Sequence, residues 1–300
     1  MELPASGHDP VLLNEVMDYL RPTAGNVVID CTTGRGGHSL AMAQKLGSEG
    51  LLIALDADPR NLEYAQERLK NAPCKVRLFH ANFSELDEVL EQAGVTQVTA
   101  ILADLGISTN QLFQDEYGMS FARPMPLDMR IDPRTKESAA DIVNRWREED
   151  IANTLYQLAQ ERFSRKIARK IVDERRIAPI LTTERLADIV RTAIGPRGGA
   201  PDKIDPATRT FMALRMAVNQ ELENLDALLK LAPRRLAPGG RLGIISFHSG
   251  EDRLVKQAFR ALDAGAEFRV LTKKPVEPTD DEARRNPRSR SAKLRAVERL

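Results

Sequence analysis

Cysteine is scarce in this chain of 300 residues: Cys31 and Cys74 are the only two. Two thiols so far apart make neither a disulfide framework nor a paired metal knuckle, so a reducing, cytoplasmic setting is expected. Aromatic residues make up 5% with a single Trp, leaving few side chains for base stacking. No apolar run approaches the roughly 18–20 residues of a membrane helix. The opening MELPASGHDP has no charged stretch followed by an apolar one, so neither a secretory signal nor membrane attachment is expected. An excess of either charge is also missing, with 44 Lys+Arg against 43 Asp+Glu. That excludes a uniformly basic or acidic chain, though not a local patch. What is present is 42% apolar and 29% charged, a globular composition at a length that supports a full core.

Asn26–Cys31 (NVVIDC), Leu51–Leu55 (LLIAL), Val76–Phe79 and Val98–Ala103 (VTAILA) are predicted strands separated by helical spacers. The second is followed at once by Asp56 and the fourth by Asp104. Such alternation predicts βαβ units and an α/β fold with a parallel, doubly wound sheet. A fifth strand, Arg241–Phe247, follows the turn Pro238-Gly239-Gly240. The intervening stretch far exceeds the roughly 30 residues of an ordinary crossover unit. Helices are predicted there at Ser138–Trp146, Glu148–Leu158, Glu161–Arg176 and Thr182–Ile194. The expected organisation is an all-helical subdomain, 111–205, inserted into a discontinuous domain of 1–110 and 206–300. One long helix is expected from Pro206, capped by Asp205, with Phe211, Leu214, Val218, Leu222, Leu225 and Leu229 on its buried face.

Basic residues cluster twice. Between Arg162 and Arg176 seven bases stand against two acids, and Arg162, Arg165, Lys166, Arg169 and Lys170 share one helix face. Between Arg284 and Leu300 seven bases stand against one acid. Such runs are either a solvated face and a loose tail, or a surface for a polyanion.

The first predicted strand runs into Gly34-Arg35-Gly36-Gly37, a turn that lets the backbone approach a ligand at a helix N-terminus. A dinucleotide fingerprint would need a third glycine where Ser39 stands, and Asp30 would repel a pyrophosphate. Asp30 suits an ammonium group instead, and S-adenosyl-L-methionine carries one beside its ribose and adenine. In that reading Asp56 accepts from the ribose hydroxyls, Phe83 stacks on adenine near Asn82, and Asp104 lies at the switch point. The competing reading makes the glycines a tight turn and Phe83 a core residue.

Longer motifs are His8-x-Pro10-Val-Leu-Leu, Gly34-Arg-Gly-Gly-His-Ser39, Asp104-Leu-Gly-Ile-Ser108, Pro126-Leu-Asp-Met-Arg130, Pro206-Ala-Thr-Arg-Thr-Phe211, Ser246-Phe-His-Ser249 and Asn286-Pro-Arg-Ser-Arg-Ser-Ala-Lys-Leu-Arg295. In order and along nearly the whole chain, they closely resemble those of the RsmH (MraW) family. That family methylates the exocyclic N4 of a cytosine in the decoding region of 16S ribosomal RNA, using S-adenosyl-L-methionine. The resemblance implies a class I, Rossmann-like methyltransferase sheet with an inserted substrate-recognition domain. It implies cofactor contacts from Gly36, Gly37, His38, Asp56, Phe83, Asp104 and Gln111. It also implies small-subunit ribosomal RNA as partner, within an assembling subunit in the cytoplasm, and no metal. The sequence departs from the family pattern at Thr109, Tyr117, Met119, Met125, Asp205, Met212 and Gly250.

An exocyclic amine is a weak nucleophile because its lone pair is delocalised into the ring. A catalyst must accept hydrogen bonds from the N–H groups, and proximity supplies much of the rest. Asp104, or carbonyls of its loop, is the expected acceptor. Asp128 is a second candidate, unless it only caps its loop or pairs with Arg130. Methylation at C5 would need a cysteine nucleophile, but Cys74 precedes the third strand and Cys31 lies under the glycine turn. His248 and Glu251 are expected to have structural roles. The alternatives are an NAD-dependent dehydrogenase, an RNA-binding assembly factor without turnover, and a methyltransferase for another RNA cytosine or a protein.

Overall fold

The computed structural model describes residues 10–195 and 205–300; His8 of the first motif lies outside them. The chain divides into two compact units, one from residues up to 106 and from 222 onward, the other from 107–221. The helical unit therefore ends later than the expected boundary at 205.

The first unit is built on strands β1 (Val27–Asp30), β2 (Leu51–Asp56), β3 (Lys75–His80), β4 (Val98–Asp104), β5 (Leu236–Ser246), β6 (Phe268–Val270) and β7 (Lys293–Arg299). Among the described residues they form one sheet in the order β3-β2-β1-β4-β5-β7-β6. β1 to β5 are parallel, whereas β7 runs antiparallel between β5 and β6. Helices α1 (Leu13–Leu20), α2 (Gly37–Leu46), α3 (Pro59–Leu69) and α4 (Leu86–Ala93) belong to this unit, as do α11 (Glu221–Arg235), α12 (Ser249–Ala264) and α13 (Asp280–Arg285) farther along. This is the α/β sheet with helices on both faces expected from the sequence, with β7 making it mixed rather than wholly parallel.

Alternation along each strand explains why both faces are covered. Ile29, Ile53, Leu55 and Ile101 pack with Leu86 and Leu90 of α4, Leu225 and Leu228 of α11 and Phe259 of α12. Val28, Leu52, Ala54 and Leu102 face the other way, against Val16 and Leu20 of α1 and Met42 and Leu46 of α2. Each buried Leu or Ile contributes roughly 1.5–3 kcal/mol over leaving it exposed. Parallel strands in register bring their carboxyl ends to one edge, where Asp56 and Asp104 stand.

The carboxyl-terminal segment is no loose tail. β7 is almost wholly buried; Arg295 forks onto Asp252 at 2.7 and 3.3 Å, and Glu298 pairs with Arg241 and Arg269. Charged residues can sit inside the sheet because each has a partner. β5 is also longer than expected, beginning at Leu236 and running through the glycines with a register shift opposite Val98 and Ala100.

The second unit holds α5 (Thr109–Phe113), α6 (Ala139–Arg145), α7 (Glu148–Ala159), α8 (Ser164–Ile177), α9 (Thr183–Ile194) and α10 (Thr208–Val218). Its core joins Ile142, Ile151, Leu155, Ile167, Ile171, Leu186 and Val190 with Phe211 and Leu214 of α10. Tyr117, Met119 and Met125, three of the departures from the family pattern, are buried in this unit, as is Phe211, which stacks edge-on with Phe121. Asp205, another departure, pairs with Arg191 at 2.8 Å.

The long helix expected from Pro206 is two helices. The break is at Asn219 and Gln220, the latter in the left-handed region at φ 49. Asn219 donates to the carbonyls of Met129 and Arg215 at 2.8 and 2.9 Å and accepts from the Ile131 amide at 2.9 Å. The apolar stripe continues through the break, but Phe211, Leu214 and Val218 serve one core and Leu225 and Leu229 the other. Asn219→Ala is expected to lower stability by about 2 kcal/mol, because buried backbone groups lose their partners; urea unfolding followed by circular dichroism measures it.

Candidate active site

β1 ends in a turn whose residues Gly34 and Gly36 take φ 52 and 78, values suited to glycine. A Cβ on Gly37 would stand 3.2 Å from the Pro10 ring. The turn opens α2, where the first amides have no partner within the helix. Hydrogen bonds fasten this loop to its neighbours. The Asp104 amide donates to Thr32 Oγ1 at 2.6 Å, and the Gly34 amide donates to Asp56 Oδ2 at 2.7 Å. Thr32 had no role in the sequence analysis; it binds the loop to the end of β4.

Three acids stand at this edge, and their surroundings separate them. Asp30 is buried: its Oδ2 accepts from the Ser39 hydroxyl at 2.6 Å and its Oδ1 from the Thr32 amide at 3.2 Å. It thus holds the turn together rather than standing open to an ammonium. Asp56 is engaged by Gly34 and also accepts from the Asp58 amide at 2.8 Å and Asn61 Nδ2 at 3.3 Å. A carboxylate offers about four lone-pair positions. Asp56 has therefore spent most of its accepting capacity on the loop, which narrows the expected double contact with ribose. Asp104 differs, since its buried Oδ1 has no hydrogen-bond partner.

Burial pushes Asp30 and Asp56 up to about 6, against the hydrogen bonds they accept. Burial pushes Asp104 up to about 8; the charges of Asp30 and Glu251 add to the effect and the Arg288 guanidinium opposes it. A carboxyl like this is the pattern of a functional group, being costly to ionise until a ligand brings charge.

His38 is buried on α2. Its Nε2 donates to the Val11 carbonyl at 2.8 Å, and its Nδ1 lies 3.7 Å from Asp104 Oδ2, too far for a hydrogen bond. The buried ring thus stands beside Asp104. Phe83 opens a short 3-10 turn (Phe83–Glu85) just after β3, half-buried against the core, so part of its ring is available to stack. Asn82 is occupied in capping that turn, accepting from the amide and hydroxyl of Ser84. At the far end of β5, His248 Nδ1 accepts from the Gly250 and Glu251 amides, and Glu251 accepts from Phe247 and His248. These are the structural roles expected of that pair.

Gln111 and Asp128 belong to the helical unit. Gln111 is buried on α5, where its Oε1 accepts from the Ser108 amide at 2.9 Å. Asp128 accepts from Arg130 Nε at 2.7 Å, Nη2 at 2.8 Å and the Arg130 amide at 3.1 Å. Its carboxylate accepts three hydrogen bonds from Arg130, which is the pairing role that the sequence offered beside the catalytic one. The loop is tight: a Cβ on Gly118 would lie 2.0 Å from the Pro126 carbonyl oxygen.

Arg165, Lys166 and Arg169 are exposed on α8, whereas Arg162, expected on the same helix face, is exposed in the turn before it; the rings of Tyr156 and Phe163 are exposed in the same unit. Lys170 is tied to Glu174 at 2.8 Å, and Arg175 turns inward to the carbonyls of Val143 and Trp146. The exposed charge of this face is therefore its amino-terminal half.

A parallel sheet with its glycine turn, half-open aromatic and unpartnered buried acid at one carboxyl edge defines a methyltransferase of the Rossmann-like class. The MraW methylase family model matches residues 5–300. "Ribosomal RNA small subunit methyltransferase H" of Sorangium cellulosum is 45% identical over 98% of this chain and 91% of its own length. The protein of that name from Koribacter versatilis is 44% identical over 97% and 94%. That from Trichlorobacter lovleyi is 42% identical over 98% of both. The chain belongs to the MraW methylase family.

The three raised acids set the sign of the pH response. Each holds its proton in the folded state above the pH at which the unfolded chain loses it. The unfolded state then binds fewer protons, so their contribution to stability falls as pH rises, from about 4 to 6 for Asp30 and Asp56 and to about 8 for Asp104. Asp104→Asn removes the largest of these penalties without removing a hydrogen bond in the ligand-free protein. It is expected to be more stable than wild type by roughly 1–3 kcal/mol at pH 8, with the difference vanishing near pH 4; denaturant titrations across that range measure it.

Proposed function

We propose that this chain is an S-adenosyl-L-methionine-dependent methyltransferase acting on the exocyclic N4 of a cytosine in the decoding region of 16S ribosomal RNA. The observation that carries the reading is the partnerless Oδ1 of Asp104 at the end of β4, beside the glycine turn. The residues fit such a donor: Gly36 and Gly37 admit its amino-acid end, Asp56 retains capacity for one ribose hydroxyl, and Phe83 offers a ring to adenine. Gln111, assigned by motif, lies on the helical unit. The bound donor supplies an electrophilic methyl on a sulfonium.

The chain's own residues prepare the acceptor. Asp104 Oδ1 accepts a hydrogen bond from the cytosine amine, drawing the nitrogen lone pair out of the ring. Transfer to the amine would break the S–CH3 bond as the N–CH3 bond forms, the sulfur leaving as a neutral thioether; the proton that the amine sheds goes to Asp104 Oδ1. The Arg288 charge favours the ionised carboxyl that begins this step. Neither cysteine competes as a nucleophile, because burial pushes both thiols up. The exposed bases of α8 neutralise phosphate, and the target base must be unpaired or extruded. The substrate is the RNA within an assembling small subunit, in the cytoplasm; among the described residues no helix is long and apolar enough to cross a membrane.

Mass spectrometry of ribosomal RNA nucleosides from cells lacking the chain tests this reading. N4-methylcytidine is expected to disappear, to return with the wild-type chain, and to stay absent with Asp104→Ala that folds normally. Unchanged N4-methylcytidine contradicts it. On the helical unit, Arg165→Ala with Lys166→Ala is expected to weaken RNA binding and reduce its log–log salt slope by roughly 2, with donor affinity unchanged; filter binding over a salt series checks this.

A further inference from the structure

Arg288 looks in the sequence like one base of a charged tail, yet the sheet carries it to the catalytic edge. β7 runs back against β5 with Lys293 opposite Ser246 and Leu294 opposite Ile245. Ile245 in turn lies opposite Asp104 of β4. The residues that lead into β7 therefore emerge at the same edge as Asp104, about two strand spacings away at roughly 5 Å each. They form a short 3-10 turn, Pro287–Ser291. Ser289 in that turn is fully buried; its amide and hydroxyl donate to the Asn286 carbonyl at 2.9 and 2.8 Å. The turn is thus pinned, and the half-buried Arg288 guanidinium and the Asp104 carboxyl act on each other electrostatically.

The side from which Arg288 approaches is informative. The glycine turn and Asp56 lie on the β1 and β2 side of Asp104, whereas β7 lies beyond β5 on the other. A donor molecule seated over β1 and β2 leaves the β5 and β7 side to the acceptor. There the chain presents a carboxyl, which once ionised only accepts hydrogen bonds, and a guanidinium, which only donates them. Cytosine presents the complementary edge: the amine donates, and ring N3 and the O2 carbonyl accept. Uracil reverses the first two positions.

Resting on the proposed cytosine-N4 activity, we propose that Arg288 is a specificity-determining residue that donates hydrogen bonds to N3 and O2 of the target cytosine while Asp104 accepts from its amine. The pair admits a cytosine and rejects a uracil, whose O4 would face the carboxylate and whose N3–H would face the guanidinium. A site built to pair with particular polar atoms discriminates strongly, since a mismatch leaves buried groups without partners.

The test uses the full chain and small subunits reconstituted with ribosomal RNA carrying either cytidine or 3-deazacytidine at the methylated position. The deaza base keeps the amine but has C–H where N3 was. For the wild-type chain, kcat/KM is expected to fall about 10–100-fold with the deaza base. Arg288→Met is expected to lose a similar factor with cytidine but to show little further loss with the deaza base, and its affinity for S-adenosyl-L-methionine by calorimetry stays within about 2-fold of wild type. Arg288→Lys, which keeps the charge and loses the fork, is expected to lose part of the factor.

Equal turnover of the two bases by the wild-type chain overturns the proposal, whatever the variants do. So does an undiminished deaza penalty in Arg288→Met, which would mean that another group reads N3. Loss of donor affinity in Arg288→Met, with the RNA step intact, assigns the guanidinium to the donor's carboxylate and also overturns it. No methylation of cytidine by the wild-type chain is a failure of the proposed activity itself, and so is told apart from a failure of Arg288.

Discussion

Oδ1 of the half-buried Asp104 carboxyl is hidden without a partner at the end of a central strand, and the rest of the edge is arranged about that unmet demand. A buried acid without a donor is expensive, and the folded chain meets the expense by holding the group neutral up to about pH 8. The sheet can carry this penalty because both of its faces are packed with aliphatic side chains. The neighbouring acids have been put to other uses. Asp30 fastens Ser39 and Asp56 fastens Gly34, so two carboxyls shape the loop and the third is the one to which the proposed chemistry is given.

Function then follows from position. Parallel strands β1 to β4 gather a glycine turn, an aromatic and an acid at one edge, and the antiparallel β7 returns a basic turn to the same edge from the opposite side. In the proposed reaction the donor half and the acceptor half fall to different strands, with Asp104 between them. The helical unit, folded around its own core, contributes an exposed basic face suited to phosphate, while its internal arginines serve structure. Arg130 and Arg175 are examples: one clamps Asp128, the other satisfies carbonyls at the end of α6.

Much of this was legible from residue order. Apolar runs closing on Asp56 and Asp104 announced parallel strands and their functional ends, and the missing third glycine excluded a dinucleotide loop. Helices α6 to α9 of the insertion were readable to within a few residues, because each carries its own apolar periodicity. Three features were hidden for physical reasons. β7 reads K-L-R-A-V-E-R, and its charges mask a buried strand whose partners, Asp252 and Arg241, are far away in sequence. The break at Asn219 is invisible because the apolar spacing runs straight through it, serving two cores in turn. The commitments of Asp56 and Asp128 depend on hydrogen bonds that no spacing reports, and the tie from Thr32 to the Asp104 amide is of the same kind.

The direct measurement is the titration of the Asp104 carboxyl itself, by carbon-detected NMR of carboxyl-labelled protein with Asp104→Asn as the assignment control. An apparent pKa near 8 in the ligand-free protein, falling when the cationic donor is added, is the result required here. An ordinary value near 4, unmoved by the donor, would mean that the carboxyl is solvated and already ionised, and the account of the site built upon it would fail.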